Sequence, residues 1–261
     1  MGTVYAVVNQ KGGVGKTTTA VNVAAAAAAL GRKVLLVDLD PQGNATSGVG
    51  VPKEGKDRPR TTAYDVLLGQ AQPQDAIIST RISGMDLLPS NLDLAAAEVE
   101  LMPRLARETI LRSALATVKE DYSLVLIDAP PSLGILTINA MVAADALIIP
   151  IQCEYYALEG VSQLMKMVEM VRRAVNPGLR IPFVVLTMYD PRARLNQEVA
   201  EDVRRAFGDC VLQRPVPRNI RIAEAPSHGV PVTLYDPRCR GALAYVEMAK
   251  EVLRDAEAGA G

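Results

Sequence analysis

The stretch Asn9-Gln10-Lys11-Gly12-Gly13-Val14-Gly15-Lys16-Thr17-Thr18 decides how the rest of the chain is read. An apolar run, Val4 to Val8, precedes it, and an alanine-rich segment follows. Strand, glycine loop and helix in that order are the setting of a phosphate loop. Gly12, Gly13 and Gly15 lack a Cβ, so the backbone can curl and aim its N–H groups at anionic oxygens. A helix beginning near Lys16 adds unpaired N–H groups and the positive end of its dipole. The cradle therefore runs from Lys11 through Gly12, Gly13, Val14, Gly15, Lys16 and Thr17 to Thr18. Lys16 is expected to reach β and γ phosphates, and the Thr17 hydroxyl to ligate Mg²⁺. The plain alternative is a glycine-rich turn before an ordinary helix. Gly-Lys-Thr at a strand–helix junction decides against it.

The whole chain is compatible with that reading. Its 261 residues fit one large α/β domain or at most two small ones, and with no interdomain linker in view residues 1–261 read as one. A hydrophobic fraction of 49% with a net charge of −1 describes a soluble globular protein with ample core. Trp is absent and Phe rare, so Val, Leu, Ile and Ala must build that core. No apolar run approaches the roughly 18 residues of a membrane span. Val4 enters the first strand almost at once, so no secretory leader is expected. Cys153, Cys210 and Cys239 are odd in number and widely spaced, which argues against a disulfide framework or a zinc site and for a reducing compartment. The single His228 reads as a turn residue. Near-neutral total charge predicts no bulk attraction to polyanions, so any nucleic-acid surface must be local.

Taken in order, Thr18 to Leu30 reads as a helix with six consecutive alanines, stopped by Gly31. Lys33 to Asp38 reads as a buried strand leading into Asp38-Leu39-Asp40-Pro41-Gln42-Gly43-Asn44. Val51 to Thr62 is a polar loop, and Thr62 caps a short helix, Ala63 to Leu68. Met85 to Leu88 is a strand, and Ala95 to Val118 is largely helical with a break at Pro103. Leu124 to Asp128 is a strand ending in an acid, the arrangement in which a carboxylate holds Mg²⁺. Ala146 to Ile151 and Phe183 to Thr187 are further strands, with a helix from Leu158 to Val175 between them. In that helix Met165, Met167 and Met170 read as core filler. Asn196 to Phe207 is a helix, Val211 to Pro215 a short strand, and Ala242 to Ala256 the last helix. This alternation predicts an α/β fold: a doubly wound, mostly parallel sheet with helices on both faces. Ligands of such a sheet bind at the carboxyl ends of its strands, where Asp38, Asp40 and Asp128 stand.

The standard phosphate loop carries Gly where this chain has Gln10, and an extra lysine, Lys11, stands at the loop's start. Lys11-Gly12-Gly13-Val14-Gly15-Lys16-Thr17 resembles the deviant Walker A loop of the ParA/MinD family of P-loop ATPases. The resemblance to the ParA/Soj branch extends through several later motifs. These are Val37 to Asn44, Asp128-Ala129-Pro130-Pro131-Ser132, Glu154-Tyr155-Tyr156-Ala157-Leu158-Glu159-Gly160, Thr187-Met188-Tyr189-Asp190, and Pro217 to Arg221 with Ala225-Pro226-Ser227. It implies a cytoplasmic, nucleoid-associated ATPase that needs ATP and Mg²⁺ and forms a homodimer around two nucleotides. It also implies non-specific binding of double-stranded DNA, hydrolysis stimulated by a ParB-like centromere-binding partner, and a role in chromosome or plasmid segregation. By matching position, Lys16 acts in cis and Lys11 in trans, and Asp40 orients the attacking water. Asp38 and Asp128 lie on the Mg²⁺ side, Pro217 and Asn219 sit against adenine, and Arg192 and Arg221 contact DNA.

Two rivals share the scaffold. A MinD-like membrane-cycling ATPase needs a basic amphipathic C-terminal helix. Here Lys250 and Arg254 stand against Glu247, Glu251, Asp255 and Glu257, so no membrane partner is expected. An iron–sulfur reductase like nitrogenase iron protein needs a cysteine near Asp128, and Leu124 to Leu136 has none.

Overall fold

The computed structural model describes residues 2–155 and 157–259, so Tyr156 of the quoted motifs lies outside it. Seven strands form one sheet: β1 (Thr3–Val7), β2 (Val34–Asp38), β3 (Ile78–Ser79), β4 (Met85–Leu88), β5 (Leu124–Asp128), β6 (Ala146–Gln152) and β7 (Arg180–Thr187). Their order is β3-β4-β2-β5-β1-β6-β7, and every pairing is parallel except that of the edge strand β3 with β4.

Alternation along each strand sends side chains to two separate cores. Val4, Ala6, Val37 and Ile127 pack on one face with Leu94, Leu111, Leu136, Leu164 and Val203. Tyr5, Val7, Leu36 and Leu126 pack on the other with the alanines of helix α1 (Lys16–Ala29) and with Tyr245, Met248 and Val252 of helix Arg240–Gly259. Ala24 to Ala28 are all buried, as expected of a helix that lies close to the sheet and takes a second helix on its back. Helices thus cover both faces.

Three expectations change in detail. Residues 95–118 are not one helix: Leu94–Glu100 is helical, a turn region follows, and a short 3₁₀ segment leads into Ile110–Leu115. Pro103, with no N–H to donate, falls in the interruption. Val211 to Pro215 makes only an isolated bridge, Val211 to Val184, beside β7: Leu212 donates to the Val184 carbonyl and Val216 to the Leu186 carbonyl, so extra residues between them break the ladder's register. Helix Ile135–Ala143 was unassigned; Ile135-Leu136-Thr137-Ile138-Asn139-Ala140-Met141-Val142-Ala143 has no polar stripe, because nearly all of it is buried. Met165 and Met167 pack against the core as expected, whereas Met170 is exposed. The Thr62 cap is present: its hydroxyl accepts from the Tyr64 amide at 3.3 Å, while its own amide donates to Asp65 at 2.8 Å.

The chain leaves β1 into α1 and returns as β2 on one side, while β5 leads through Ile135–Ala143 to β6 on the other. The strand order therefore diverges at the carboxyl end of β1, which is where an open α/β sheet leaves a crevice for a ligand.

Candidate nucleotide site

The phosphate loop is pinned from both flanks. Asn9 Nδ2 donates to the Pro150 carbonyl at 2.7 Å while its Oδ1 accepts from the Lys11 amide at 3.0 Å. The Thr187 hydroxyl at the end of β7 donates to the Val14 carbonyl at 2.8 Å. Gly13 (φ +76°) and Gly15 (φ +90°) adopt the left-handed backbone that side chains disfavour. A Cβ added at Gly12 or Gly13 would meet nothing within 4 Å, so the loop's outer face is open. Gly15 caps α1 without a side-chain hydrogen bond, leaving its first amides for a ligand. Lys16 is nearly buried, and its Nζ donates to the Lys11 carbonyl at 3.1 Å. Burial lowers its pKa, offset in part by Asp128 and Asp40.

Pairing of β2 with β5 sets Asp38 opposite Asp128, and pairing of β5 with β1 sets Asp128 opposite Val7, just before the loop. The two carboxylates are equally buried but differently satisfied. Asp38 Oδ2 accepts from the Thr46 amide (2.8 Å) and hydroxyl (2.7 Å), and Oδ1 accepts from the Asp40 amide (3.1 Å). Neither oxygen of Asp128 has a hydrogen-bond partner. Burial first, then the Asp38 charge, holds Asp128 well above the usual carboxylate range, opposed by the Thr17 hydroxyl and Lys16. An orphaned buried carboxylate beside a threonine hydroxyl is a donor set that fits a hard divalent cation. Among the described residues no group of three His, Cys, Asp or Glu could hold a metal ion alone. Mg²⁺ needs none, because phosphate oxygens and water fill most of its shell.

Beyond the loop a cleft of about 390 Å³ is lined by Gly15, Thr18, Met188, Pro217, Asn219 and Tyr245 among others. It brings together residues the sequence reading assigned to adenine. Met188 has φ +51°, a left-handed conformation rare for such a side chain, at the cleft wall. The Asn219 side chain caps the short helix Ile220–Glu224, accepting from the Arg221 amide at 2.8 Å.

Lys11 does not join Lys16. Its Nζ lies 2.9 Å from Glu154 Oε2, on the loop after β6. Arg192 pairs with Asp190 at 3.1 Å, and Arg221 pairs with Glu224 at 2.8 Å and Asp236 at 3.5 Å. A bridge between Tyr189 and Pro217 sets their two loops side by side, and Arg192, Arg194, Arg214, Arg218, Arg221, Arg238 and Arg240 are all exposed. Thr46, Ser90, Thr187 and Glu154 had no assigned role in the sequence reading. Ser90, Thr187 and Glu154 bond to partners at least 44 positions away, so local spacing does not show what they hold.

The profile of the AAA domain family matches residues 2–181. The chain is 51% identical over 252 residues to the sporulation initiation inhibitor protein Soj of Bacillus subtilis, covering 97% of this chain and 98% of that one. It is 52% identical over 262 residues to the chromosome partitioning protein ParA of Caulobacter vibrioides, covering 98% and 97%. The chain belongs to the Soj/ParA family of chromosome-partitioning ATPases. Its fold matches a solved structure named cobyrinic acid a,c-diamide synthase from Mycobacterium smegmatis, with bound ADP and magnesium, at 40% identity and TM-score 0.87 over 99% of this chain and 97% of that one. That name belongs to that protein; the Soj and ParA relatives are nearer in sequence. As a family member this chain is an ATPase using ATP and Mg²⁺. Among the described residues no helix is long and apolar enough to cross a membrane.

Proposed function

We propose that this chain is an ATP-switched partition ATPase that dimerises around two nucleotides, binds duplex DNA without sequence preference, and hydrolyses ATP when a ParB-like partner stimulates it. The observation that carries this reading is the separation of the two loop lysines. Lys16 folds back over its own loop, whereas Lys11 reaches across to Glu154 and leaves its own cradle. A lysine so placed serves a second copy's phosphates better than its own.

Within one subunit, Lys16 and the α1 amides bind phosphate charge, and Pro217 and Asn219 border the base. Asp128 and Thr17 would hold Mg²⁺, which supplies charge neutralisation on the phosphates when bound. Asp38 acts on that side through the loop it anchors, and Asp40 aligns the attacking water. Lys11 adds positive charge in trans, so hydrolysis waits for assembly. Arg192 and Arg221 belong to an exposed arginine group whose forks suit phosphate oxygens. Their internal acids must be exchanged for DNA. One subunit offers few contacts, so affinity appears when two are joined. The cytoplasm, at the nucleoid, is the corresponding location, and residues 1–261 act as one domain.

Membrane cycling fits less well. Helix Arg240–Gly259 buries Ala242, Tyr245, Met248, Val252 and Leu253 against the core, so its apolar face is already used.

The test is sedimentation of wild type and Lys11→Ala with a slowly hydrolysed ATP analogue, paired with binding of unrelated duplexes across a salt series. Wild type should dimerise and bind both duplexes with a steep negative salt slope. Arg221→Ala should dimerise but flatten that slope by roughly one to two units per dimer. A dimer unchanged in Lys11→Ala, or equal DNA binding without nucleotide, overturns the reading.

A further inference from the structure

The acid assigned to water alignment is held by a closed ring of buried hydrogen bonds drawn from three segments. The Asp40 amide donates to Asp38 Oδ1 at 3.1 Å. Asp38 Oδ2 accepts from the hydroxyl of Thr46, in the short helix α2 (Asn44–Gly48), at 2.7 Å. While donating to Asp38, that hydroxyl also accepts from the Ser90 amide, just beyond β4, at 3.0 Å. The Ser90 hydroxyl closes the ring, donating to the Asp40 carbonyl at 2.8 Å. Asp38 and Thr46 are fully buried and Ser90 almost so.

Both backbone groups of Asp40 are therefore tied, one through Thr46 and one through Ser90. The Gly43 amide also donates to the Asp40 carbonyl at 2.9 Å, and the Asp40 side chain accepts from the Gln42 amide at 2.9 Å. β2 and β4 pair in parallel with Val37 opposite Leu88, which brings the residues beyond them together. Neither the Thr46 nor the Ser90 hydroxyl is hydrogen-bonded to the phosphate loop in this ring. The two hydroxyls donate to Asp38 and to the Asp40 carbonyl respectively.

We infer that Thr46 and Ser90 are positioning residues for ATP hydrolysis: they fix the Asp40 backbone so that its carboxylate stands at one place relative to the phosphate loop. This rests on the water-aligning role of Asp40. A misplacement of about 1 Å in such a group costs on the order of 100-fold in rate. Nucleotide affinity, set by the loop amides and Lys16, does not pass through the ring.

The experiment uses the full chain with Thr46→Val, Thr46→Ser, Ser90→Ala and Asp40→Ala. Single-turnover hydrolysis of radiolabelled ATP gives the chemical step, a fluorescent ATP analogue gives affinity, and a Mg²⁺ titration gives the metal requirement. Thr46→Val keeps the shape and loses the hydroxyl, so hydrolysis should fall about 10- to 100-fold, as loss of a charge-assisted bond implies. Affinity and Mg²⁺ requirement should stay as in wild type. Thr46→Ser should restore the rate, and Ser90→Ala should lose about 2- to 10-fold, as for a neutral bond. Should Thr46→Val fail to fold, Ser90→Ala decides by the same split between rate and affinity. Wild-type hydrolysis in the folded variants, beside an inactive Asp40→Ala, overturns the inference and leaves the Asp40 assignment standing. Affinity falling in step with rate, or a raised Mg²⁺ requirement, overturns it too. Normal hydrolysis in Asp40→Ala removes the assignment itself and the inference with it.

Discussion

Replacing Asp128 by Asn should stabilise the nucleotide-free protein while removing its response to Mg²⁺. The Asp128 carboxylate is fully buried, neither oxygen is hydrogen-bonded, and the strand register sets it directly opposite Asp38. An unsatisfied buried polar group costs about 1–3 kcal/mol, and more when charged. Asn has the same shape and no charge, so it removes the cost of ionising a buried acid beside Asp38 but leaves an amide to satisfy. A net gain of about 1–2 kcal/mol follows from that difference. For a chain of this size it raises the melting temperature by about 2–8 °C. The nucleotide-bound state should change the other way. Wild type gains about 2.7 kcal/mol from ATP with Mg²⁺ at a hundred-fold excess over the dissociation constant. In Asp128→Asn the Mg²⁺-dependent part of that gain should vanish, and the part from ATP with chelator should stay. Thermal melts in chelator, in ATP with chelator and in ATP with Mg²⁺ separate the three. A lower melting temperature without nucleotide would show that the carboxylate is satisfied in solution. A full Mg²⁺ response in the variant would refute its place on the metal side.

Gly12→Val should fold and bind ATP yet stay monomeric in sedimentation with an ATP analogue, because Gly12 has no left-handed backbone and its Cβ direction is empty in one subunit; weakened ATP binding would refute this. Gly229→Ala should destabilise the fold by about 2 kcal/mol or more, since it adds left-handed strain (φ +64°) and sets a Cβ 2.9 Å from the Gly50 backbone; an unchanged melting temperature would show that the two loops separate freely. Asp255 is raised by burial but lowered more by the Arg180 guanidinium at 2.9 Å and the Tyr5 hydroxyl at 2.5 Å, so its pKa lies below the usual carboxylate range. A lowered carboxylate stabilises above its unfolded pKa, about 4, and loses that contribution as pH falls through the folded value. Asp255→Asn should therefore cost about 1 kcal/mol or less at neutral pH, given its partial exposure, and less as pH falls through the folded value; denaturant melts at pH 7 and pH 3 measure this, and an equal cost at both pH values would falsify the linkage.

Much of the fold was legible because its signals are local. Buried parallel strands read as short apolar runs, so Met85–Leu88 and Leu124–Asp128 fall where the runs predict, and β1, β2, β6 and β7 differ only at their ends. Helix Ile135–Ala143 was invisible for the converse reason: burial on every side erases the periodicity that marks a helix. Val211 to Pro215 looked like a strand by composition, and the extra residues between the Leu212 and Val216 donors to β7 reduced it to a bridge. The arginines of the proposed DNA surface were visible as a count, but their pairing with Asp190, Glu224 and Asp236 was not.

The sequence by itself determined the phosphate loop, the three acids at the ends of two strands and the family, because glycine freedom, lysine charge and apolar runs are properties of neighbouring residues. The tertiary structure alone decided what surrounds each acid. Asp38 and Asp128 end similar strands, yet one accepts three hydrogen bonds and the other none. The bonds that hold Asp40 join residues 44 and 50 positions apart in the chain. They exist because parallel pairing inserts β4 beside β2 and β5 between β2 and β1, an order no local stretch encodes.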